Sequence, residues 1–359
     1  MLYKLLYFFH TEISALNVFR YITFRTILST LTAMVLCIFL GKWAISKLKE
    51  LQVGQYIRKS GPKSHVPKAG TPTMGGILIL ISVLSACLIW GDIQNIYVWI
   101  IIFVAVSFGA IGFLDDYIKK VKKSSDGLGA KSKFALQTMA ALFIAVVFYF
   151  QSNFDTRLII PFFKDLSIDL GLLYIPFIVF IIVGTSNAVN LTDGLDGLAI
   201  TPFIVAISCY VIFSYIAGHT KIAAYLQVPY VLGAGEAAVV CGALAGAGLG
   251  FLWFNGPPAE VFMGDVGSLS LGAILGTVAV ITKQELILAI VGGLFVVEAL
   301  SVIIQVIFFK LTGGKRVFRM APIHHHFEEK GWVETKVVIR FWIIAIVLAL
   351  LAMSSLKLR

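Results

Sequence analysis

The residues best suited to chemistry in this 359-residue chain are a small set of aspartates. Only 19 acidic residues occur in the whole sequence, and those beside long apolar runs include Asp115, Asp116, Asp193, Asp196 and Asp265. An ionised side chain beside a membrane-spanning segment costs free energy unless water, a partner or a ligand meets it. These aspartates are therefore the first candidates for a functional site.

Asp115 and Asp116 end one apolar run, and neighbouring positions on a helix point about 100° apart. One interpretation is a solvated helix end, with the two acids paired to Lys119 and Lys120. The other is a site for a divalent cation or a metal-bound phosphate, because a cation between two carboxylates removes their mutual repulsion. The motif alone does not choose between these interpretations.

A second motif spaces two amides and two acids three residues apart, at Asn187, Asn190, Asp193 and Asp196. Neighbours at this spacing lie close together on a helix, and the glycine after each acid lets a substrate or another backbone approach. Oxygen side chains suit Mg²⁺, which completes its shell with water and substrate phosphates. The alternative is a polar turn that closes a short loop, although polar groups at a membrane edge are costly.

Asp265 lies between Gly264 and Gly267, in a turn that opens at Asn255. This pattern places an acid where backbone can approach a ligand, again as an oxygen ligand for a hard cation. Gly-Asp turns are common, however. Phe262 could stack on a flat base, whereas most phenylalanines in so apolar a chain fill the membrane.

Two further loops carry groups suited to phosphate. Gly70–Gly76 follows Lys68 and offers backbone N–H groups at the start of an apolar run, which is either an anion site or a tight entry turn. His324, His325 and His326 diverge in direction, so they are not expected to hold one metal together. One or two of them could bind phosphate oxygens or move a proton near neutral pH; a cytoplasmic loop folded on itself is the alternative.

The elements that must position these residues are membrane helices. Apolar residues make up 59% of the chain and charged residues 13%, against about 45–50% and about 25% in soluble domains. A span needs about 20 mostly apolar residues, which predicts an all-α polytopic membrane protein with one domain over residues 1–359. The ten predicted spans cover residues 23–46, 74–91, 96–114, 134–150, 172–189, 199–217, 237–254, 268–282, 286–309 and 337–356.

The positive charges predict the orientation of these spans. Lysines and arginines are concentrated in the connections after spans one, three and nine, and positively charged connections stay in the cytoplasm. Both termini are then expected in the periplasm, and all five aspartates on the cytoplasmic side. The net charge of +10 would also attract anionic membrane lipids or a phosphorylated ligand. No nucleic-acid partner is expected, because no basic stripe with interleaved aromatics lies outside the bilayer.

Two local features depart from simple spans. Residues 151–171, in an outward connection, alternate around Pro161 in a pattern that predicts a small periplasmic hairpin. Gly292 interrupts the ninth run, which also carries Glu298 and Gln305. A broken ninth helix is therefore expected, in a place where protein or a wet cavity covers the backbone.

Together these motifs resemble the phospho-N-acetylmuramoyl-pentapeptide transferases, within the polyprenyl-phosphate N-acetylhexosamine-1-phosphate transferase superfamily. The resemblance rests on Asp115-Asp116, Asn190–Gly197, Asn255–Ser268 and Ala321–Glu328 and covers nearly the whole chain. It implies transfer of phospho-N-acetylmuramoyl-pentapeptide from its UDP conjugate to undecaprenyl phosphate, giving lipid I and UMP in peptidoglycan synthesis. It also implies a Mg²⁺ cofactor, a homodimer and a cytoplasmic site in the bacterial inner membrane.

The same resemblance implies roles for individual residues. Asp265 is the strongest metal-ligand candidate, with Asp115, Asp116 and Asn190 beside it, and Lys133 is expected to meet the lipid phosphate. The expected catalytic residues are Asp115, Asp116, Asp265 and His324. The positions expected to contact substrate are Lys68, Thr73, Lys133, Asn187, Asn190, Asp193, Gly194, Leu195, Asp196, Asn255, Phe262, Gln305 and His325, with Phe262 against uracil.

Two reaction courses fit these residues. A lipid phosphate has a second pKa near 6 by analogy with phosphorylated side chains, so it is largely dianionic at neutral pH and hardly needs a base. Direct attack in one step is therefore favoured, with Asp115 and Asp116 positioning metal and phosphate. The two-step alternative makes a carboxylate the nucleophile and forms an acyl phosphate.

Two other functions share parts of the pattern. A sister transferase that acts on UDP-N-acetylglucosamine would need the same acids, and a requirement for the lactyl-pentapeptide arm would separate the two. A transporter is suggested by Glu298, Gln305 and the glycine-interrupted ninth run. The gathering of ionisable residues at one membrane face, and not at the midplane, argues against transport.

Overall fold

The computed structural model describes residues 2–51, 70–122, 127–151, 155–163 and 166–357, so the predicted site residue Lys68 lies outside the described residues. The described residues form fourteen α-helices and two short strands. The helices are α1 (Leu2–Phe8), α2 (Ile22–Glu50), α3 (Gly76–Trp90), α4 (Ile96–Lys122), α5 (Ala130–Tyr149), α6 (Tyr174–Thr192), α7 (Ile200–Ala217), α8 (Thr220–Leu226), α9 (Gly235–Asn255), α10 (Gly264–Ile281), α11 (Glu285–Val291), α12 (Gly293–Leu311), α13 (Ile323–Glu328) and α14 (Glu334–Ser354).

Nine helices in this described part are long and apolar enough to cross a membrane: α2, α4, α5, α6, α7, α9, α10, α12 and α14. The prediction of an all-α polytopic membrane protein is therefore confirmed. The second predicted span forms α3, which has only 15 residues. Such a helix is about 22 Å long, shorter than a hydrocarbon core of about 30 Å. The orientation of the termini stays a prediction.

The ninth apolar run is broken, as its glycines predicted. α11 ends at Val291, α12 begins at Gly293, and Gly292 between them has a non-helical conformation. The predicted hairpin is also present: β1 (Arg157–Ile159) pairs antiparallel with β2 (Ser167–Asp169). Its placement in the periplasm depends on the predicted orientation.

α10 is the most deeply buried helix, because residues 266–281 are all buried. It packs between α4 and α6, and glycine makes one of these contacts possible. A Cβ on Gly272 would lie 2.6 Å from the backbone oxygen of Thr185 in α6. Large apolar side chains on other helices, such as Trp43 and Phe180, point outward and are 62% and 70% exposed. The outer surface is therefore suited to lipid.

Polar side chains join α6 and α10 at the end of the bundle where the hairpin lies. Lys283 follows α10, and its Nζ lies 2.5 Å from the Tyr174 hydroxyl, 2.9 Å from the backbone oxygen of Asp155 and 3.4 Å from Glu285 Oε1. The Tyr174 hydroxyl also donates a hydrogen bond to Glu285. The side chains of Lys283, Tyr174 and Glu285 are buried. This cluster fastens the start of α6 to the turn after α10.

Candidate active site

Three carboxylates converge at the opposite end of the bundle, where α4 ends and α10 begins. One oxygen each of Asp115, Asp116 and Asp265 lies within 4.8 Å of the other two. Asp115 and Asp116 are only 3% and 5% exposed. α10 comes this close because residue 112 is glycine, where a Cβ would lie 2.2 Å from the backbone oxygen of Asp265. We call these three aspartates the acidic triad.

Two lysines neutralise part of the negative charge of the triad. Lys119 Nζ lies 2.6 Å from Asp115 Oδ2, 3.0 Å from Asp265 Oδ2 and 3.4 Å from Asp116 Oδ1. Lys133 Nζ, from α5, lies 2.7 Å from Asp265 Oδ2 and 3.9 Å from Asp115 Oδ2. The pairing of Asp115 with Lys119 that a solvated helix end would show is present, but the acids themselves are buried. Three negative and two positive charges leave one net negative charge, so the cluster favours another cation.

The N-terminus of α10 holds Asp116 in place. The carboxylate oxygen Oδ2 of Asp116 accepts hydrogen bonds from the backbone N–H groups of Asp265, at 2.9 Å, and Val266, at 3.4 Å. These are free donors in the first turn of a helix, where the helix dipole also favours a negative charge. Gly264 begins the helix with a positive φ of 70°, a backbone conformation suited to glycine.

α6 contributes its two asparagines in different directions. Asn190 Nδ2 donates to Asp265 Oδ1 and to Ser268 Oγ, both at 2.7 Å. Asn187 Nδ2 instead donates to Gln137 Oε1 on α5, at 2.7 Å, and to the backbone oxygen of Val183, at 2.8 Å. Asn190 therefore borders the triad directly, and Asn187 joins α6 to α5.

Asp193 follows the last residue of α6. Burial, followed by the negative charges of Asp265 and Asp116, raises the pKa of Asp193 to about 8. Burial is the larger cause, and the contribution of the two neighbouring carboxylates shows that Asp193 lies in their negative field. The pKa of Asp193 thus agrees with the charge count of the triad in indicating a place for a cation.

The residues after Asp193 bind the loop that precedes α10. Asp196 Oδ2 accepts a hydrogen bond from the backbone N–H of Ala259 at 3.0 Å. Asn255 Oδ1 accepts from the Gly197 N–H at 3.1 Å, and Asn255 Nδ2 donates to the backbone oxygen of Val261 at 2.9 Å. Leu195 is buried in an apolar cluster around α14. These contacts hold the Asp193–Gly197 loop against the end of α9.

The segment before α3 packs against the loop that precedes α10. The Phe262 N–H donates to the backbone oxygen of Pro72, and the Gly75 N–H donates to the backbone oxygen of Phe262, both at 2.8 Å. Thr73 approaches Gly264 so closely that a Cβ there would lie 2.8 Å from Thr73 Oγ1. Phe262 is partly buried. The structure therefore brings Thr73 and Phe262 beside the start of α10.

The three histidines lie at the start of α13 and have separate partners. His324 is 1% exposed, and its Nδ1 lies 3.1 Å from Glu298 Oε2. His325 Nδ1 lies 2.7 Å from Glu328 Oε2. His326 Nδ1 accepts a hydrogen bond from the Arg319 N–H at 3.1 Å. The expected divergence of the histidines is therefore present.

Gln305 binds the backbone of the loop between α12 and α13. Its Oε1 accepts from the N–H groups of Val317 and Phe318, both at 3.0 Å, and its Nε2 donates to the backbone oxygen of Phe318 at 3.0 Å. Gln305 thus orders the loop that leads to the histidines.

Three residues of the site were not assigned to it from the sequence: Lys119, Ser268 and Gln137. Lys119 follows Asp115 by one helical turn, a spacing that the sequence does show. Gln137 is a fully buried amide in a span, and a polar group in such a run is a signal for a partner. Ser268 ends the Asn255–Ser268 motif, but the sequence assigns it no partner.

Comparisons with known proteins agree with this geometry. Residues 98–283, just over half of the chain, match the family model described as Glycosyl transferase family 4, and residues 68–80 match phospho-N-acetylmuramoyl-pentapeptide-transferase signature 1. Proteins named phospho-N-acetylmuramoyl-pentapeptide-transferase are 61% identical in Desulforapulum autotrophicum, 59% in Desulfosudis oleivorans and 57% in Syntrophus aciditrophicus. Each match covers 100% of both chains.

The chain belongs to the phospho-N-acetylmuramoyl-pentapeptide-transferase family. The resemblance drawn from its motifs is thereby confirmed. The family model spans α4 through α10, the helices that supply the triad, and the shorter signature covers Thr73 and the start of α3.

Proposed function

We propose that this protein transfers phospho-N-acetylmuramoyl-pentapeptide from its UDP conjugate to undecaprenyl phosphate, releasing UMP and leaving lipid I. The observation that carries the proposal is the convergence of Asp115, Asp116 and Asp265 from two membrane helices, in a chain of this family. A site at the end of a helix bundle suits this reaction, because a long prenyl chain stays in lipid while its phosphate meets a water-soluble nucleotide.

The triad fits a divalent cation, and Mg²⁺ is the one we propose. Its donors are carboxylate oxygens, which a hard cation prefers, and the cluster retains a net negative charge after Lys119 and Lys133 are counted. Asp115, Asp116 and Asp265 would hold the ion, with Asn190 beside them. When bound, Mg²⁺ would neutralise the charge that builds on the diphosphate as the bond to UMP breaks.

The chain's own side chains orient the two substrates. Lys133 is well placed for the acceptor phosphate, because it projects from α5 and its ammonium group lies beside the triad. The Asp193–Gly197 loop, Asn255 and Phe262 frame one side of the triad and would take the uridine, with Phe262 against the base. Thr73, beside Gly264, and His324, against Gly194, would meet the diphosphate and the sugar, together with Gln305 and His325.

The proposed setting is the bacterial inner membrane, with the site facing the cytoplasm and the protein as a homodimer. The lysines and arginines between the predicted spans favour this orientation. The outward-facing apolar side chains of α2 and α6 support a lipid environment.

Release of UMP tests the function directly. Purified protein in detergent, given undecaprenyl phosphate, Mg²⁺ and UDP-N-acetylmuramoyl-pentapeptide, should release UMP, and a chelator should stop the release. UDP-N-acetylglucosamine in place of the muramoyl donor should give little or none. Faster UMP release from UDP-N-acetylglucosamine than from the muramoyl donor would favour the sister transferase. No release with either donor would contradict the proposal.

Replacing Asp115 with asparagine should separate the two reaction courses. In one-step transfer Asp115 only positions groups, so the Asp115→Asn variant should keep measurable UMP release, reduced by about 10²–10³-fold. Single-turnover measurements with radiolabelled donor would detect it. Complete loss of release, with Mn²⁺ and donor binding intact, would support a carboxylate nucleophile instead.

Replacing Lys119 with methionine should strengthen cation binding. Lys119 Nζ lies within 3.4 Å of all three triad carboxylates, so its charge competes with a divalent cation for the same oxygens. We expect the Lys119→Met variant to bind Mn²⁺ at least about tenfold more tightly, measured by electron paramagnetic resonance of free Mn²⁺.

Lys120→Met is the matched control, because it removes the same charge from the next residue of α4. Its Mn²⁺ affinity should stay within about twofold of the unmodified protein. Weaker Mn²⁺ binding by Lys119→Met would show that Lys119 assists the cation and does not compete with it.

A further inference from the structure

Glu298 is a buried acid to which the proposed reaction gives no role. It lies on α12, within a segment long enough to span a membrane, and its exposed fraction is 0%. An ionisable group in such a place is costly unless it is paired. Its carboxylate lies beside His324, whose Nδ1 is 3.1 Å from Glu298 Oε2. The pair joins α12 to α13.

The other nitrogen of His324 points toward the loop that follows α6. A Cβ on Gly194 would lie 2.4 Å from His324 Nε2, so only glycine leaves room for the ring at this position. Both ring nitrogens of His324 and both carboxylate oxygens of Glu298 are buried without a hydrogen bond among the described residues, so the 3.1 Å contact of Nδ1 with Oε2 is an ion-pair distance that lacks hydrogen-bond geometry. A buried polar nitrogen without a partner loses the hydrogen bonds it would make in water. His324 Nε2 is therefore a group held ready for a ligand at Gly194.

We propose that Glu298 is a positioning residue that acts through His324. A small rotation of the ring would let the carboxylate, 3.1 Å away, accept the Nδ1 proton, which would fix the tautomer and the plane of the ring, so that Nε2 is the atom presented beside the Asp193–Gly197 loop. When a phosphate oxygen of the UDP-linked donor lies at Nε2, the ring would take up a second proton from solvent and donate it to that oxygen, with Glu298 balancing the positive charge. This inference rests on the proposed function and assigns that site a residue on α12.

The neighbouring groups leave this role to Glu298. The ring of His325 is 4.1 Å from that of His324, measured between centroids, but its own Nδ1 is taken by Glu328. Glu298 is thus the acid that faces His324 Nδ1. The presence of this partner also explains an acid deep in α12 without a transport pathway.

Paired variants test the inference by activity. Glu298→Leu should lower kcat for UMP release by about 10–100-fold, the usual effect of removing the partner that orients a functional histidine, while KM for the donor changes by less than about threefold. Glu298→Gln should recover part of the loss, because its amide oxygen can still accept from Nδ1. The double variant Glu298→Leu with His324→Gln should be no slower than His324→Gln alone. Multiplying effects would overturn the inference, because residues that act through one another are not additive.

Ser301→Ala is the matched control on the same helix. Ser301 is 3% exposed, and its hydroxyl donates only to the backbone oxygen of Glu298, at 2.7 Å, among the described residues. It should keep kcat within about twofold. An equal loss of kcat in Ser301→Ala would mean that any disturbance of this turn has the same effect, which would overturn a specific role for Glu298.

A spectroscopic readout needs no turnover. The chain has six histidines, so ¹⁵N-histidine labelling gives few signals, and His324→Gln identifies the one from His324. The neutral ring should carry its proton on Nδ1, and in Glu298→Leu the proton should move to Nε2. An unchanged tautomer in Glu298→Leu would refute the positioning role. Because this measurement is independent of UMP release, it separates failure of the inference from failure of the proposed function.

Discussion

Replacing Asp265 with asparagine is expected to reduce UMP release by at least about 10³-fold. Asp265 is the acid that joins the elements of the site: its Oδ2 lies 2.7 Å from Lys133 and 3.0 Å from Lys119, and its Oδ1 accepts from Asn190. Asparagine keeps the size but removes one of three negative charges. The affinity for a divalent cation should fall together with the rate.

Two measurements check the Asp265→Asn result, UMP release at saturating substrates and Mn²⁺ affinity. Asp169→Asn makes the same chemical change on an exposed strand at the other end of the bundle, where Asp169 Oδ1 accepts from Thr156 Oγ1, and should keep full activity. If Asp265→Asn retained a tenth of the rate with unchanged Mn²⁺ affinity, the triad could not be the cation site.

Replacing Gly112 with alanine is expected to separate the triad without touching an acid. The new Cβ would lie 2.2 Å from the backbone oxygen of Asp265 and 2.5 Å from the backbone N of Val266. Backbone in a buried helix cannot turn aside as a side chain can, so α4 and α10 must move apart. We expect a loss of about 1–3 kcal/mol in stability and about 10²-fold in UMP release.

Gly184→Ala on α6 is the control for Gly112→Ala, since a Cβ there would meet nothing within 4 Å. Alanine forms helix better than glycine by about 1 kcal/mol, so this variant should be as stable as the unmodified protein or more so. Thermal unfolding in detergent and UMP release give both comparisons. Normal activity in Gly112→Ala would show that the contact between α4 and α10 does not set the triad's geometry.

The membrane helices could be predicted from the sequence because each needs only a long apolar run, which is a local property. The break at Gly292 and the hairpin were also local, signalled by glycine and by alternation. The length of α3 was overpredicted, since the run from residue 74 includes Met74 and Gly75, which are held in hydrogen bonds and apolar contacts before the helix begins.

The grouping of the aspartates at one end of the bundle followed from the predicted orientation, but their partners did not. Lys119 contacts Asp265 from 146 positions away in the chain, a pairing that depends on how closely α4 and α10 approach. Asn187 shows the limit of spacing arguments. A step of three residues turns a helix by about 300°, so each member of the series drifts about 60° from the last, and Asn187 reaches Gln137 on α5 while Asn190 reaches Asp265.

The cluster of Lys283, Tyr174 and Glu285 has a consequence for motion at the distant aspartates. It pins α6 and α10 together at one end, and the Asn190–Asp265 hydrogen bond pins them at the other. Because α6 and α10 are joined at both ends, these contacts oppose tilting and sliding of one helix against the other. The distance between Asn190 and Asp265 should therefore vary little with thermal motion. Under the proposed function, the connecting loops would accommodate a bulky lipid and a peptide-bearing sugar, and the proposed cation ligands would be in place before either substrate binds.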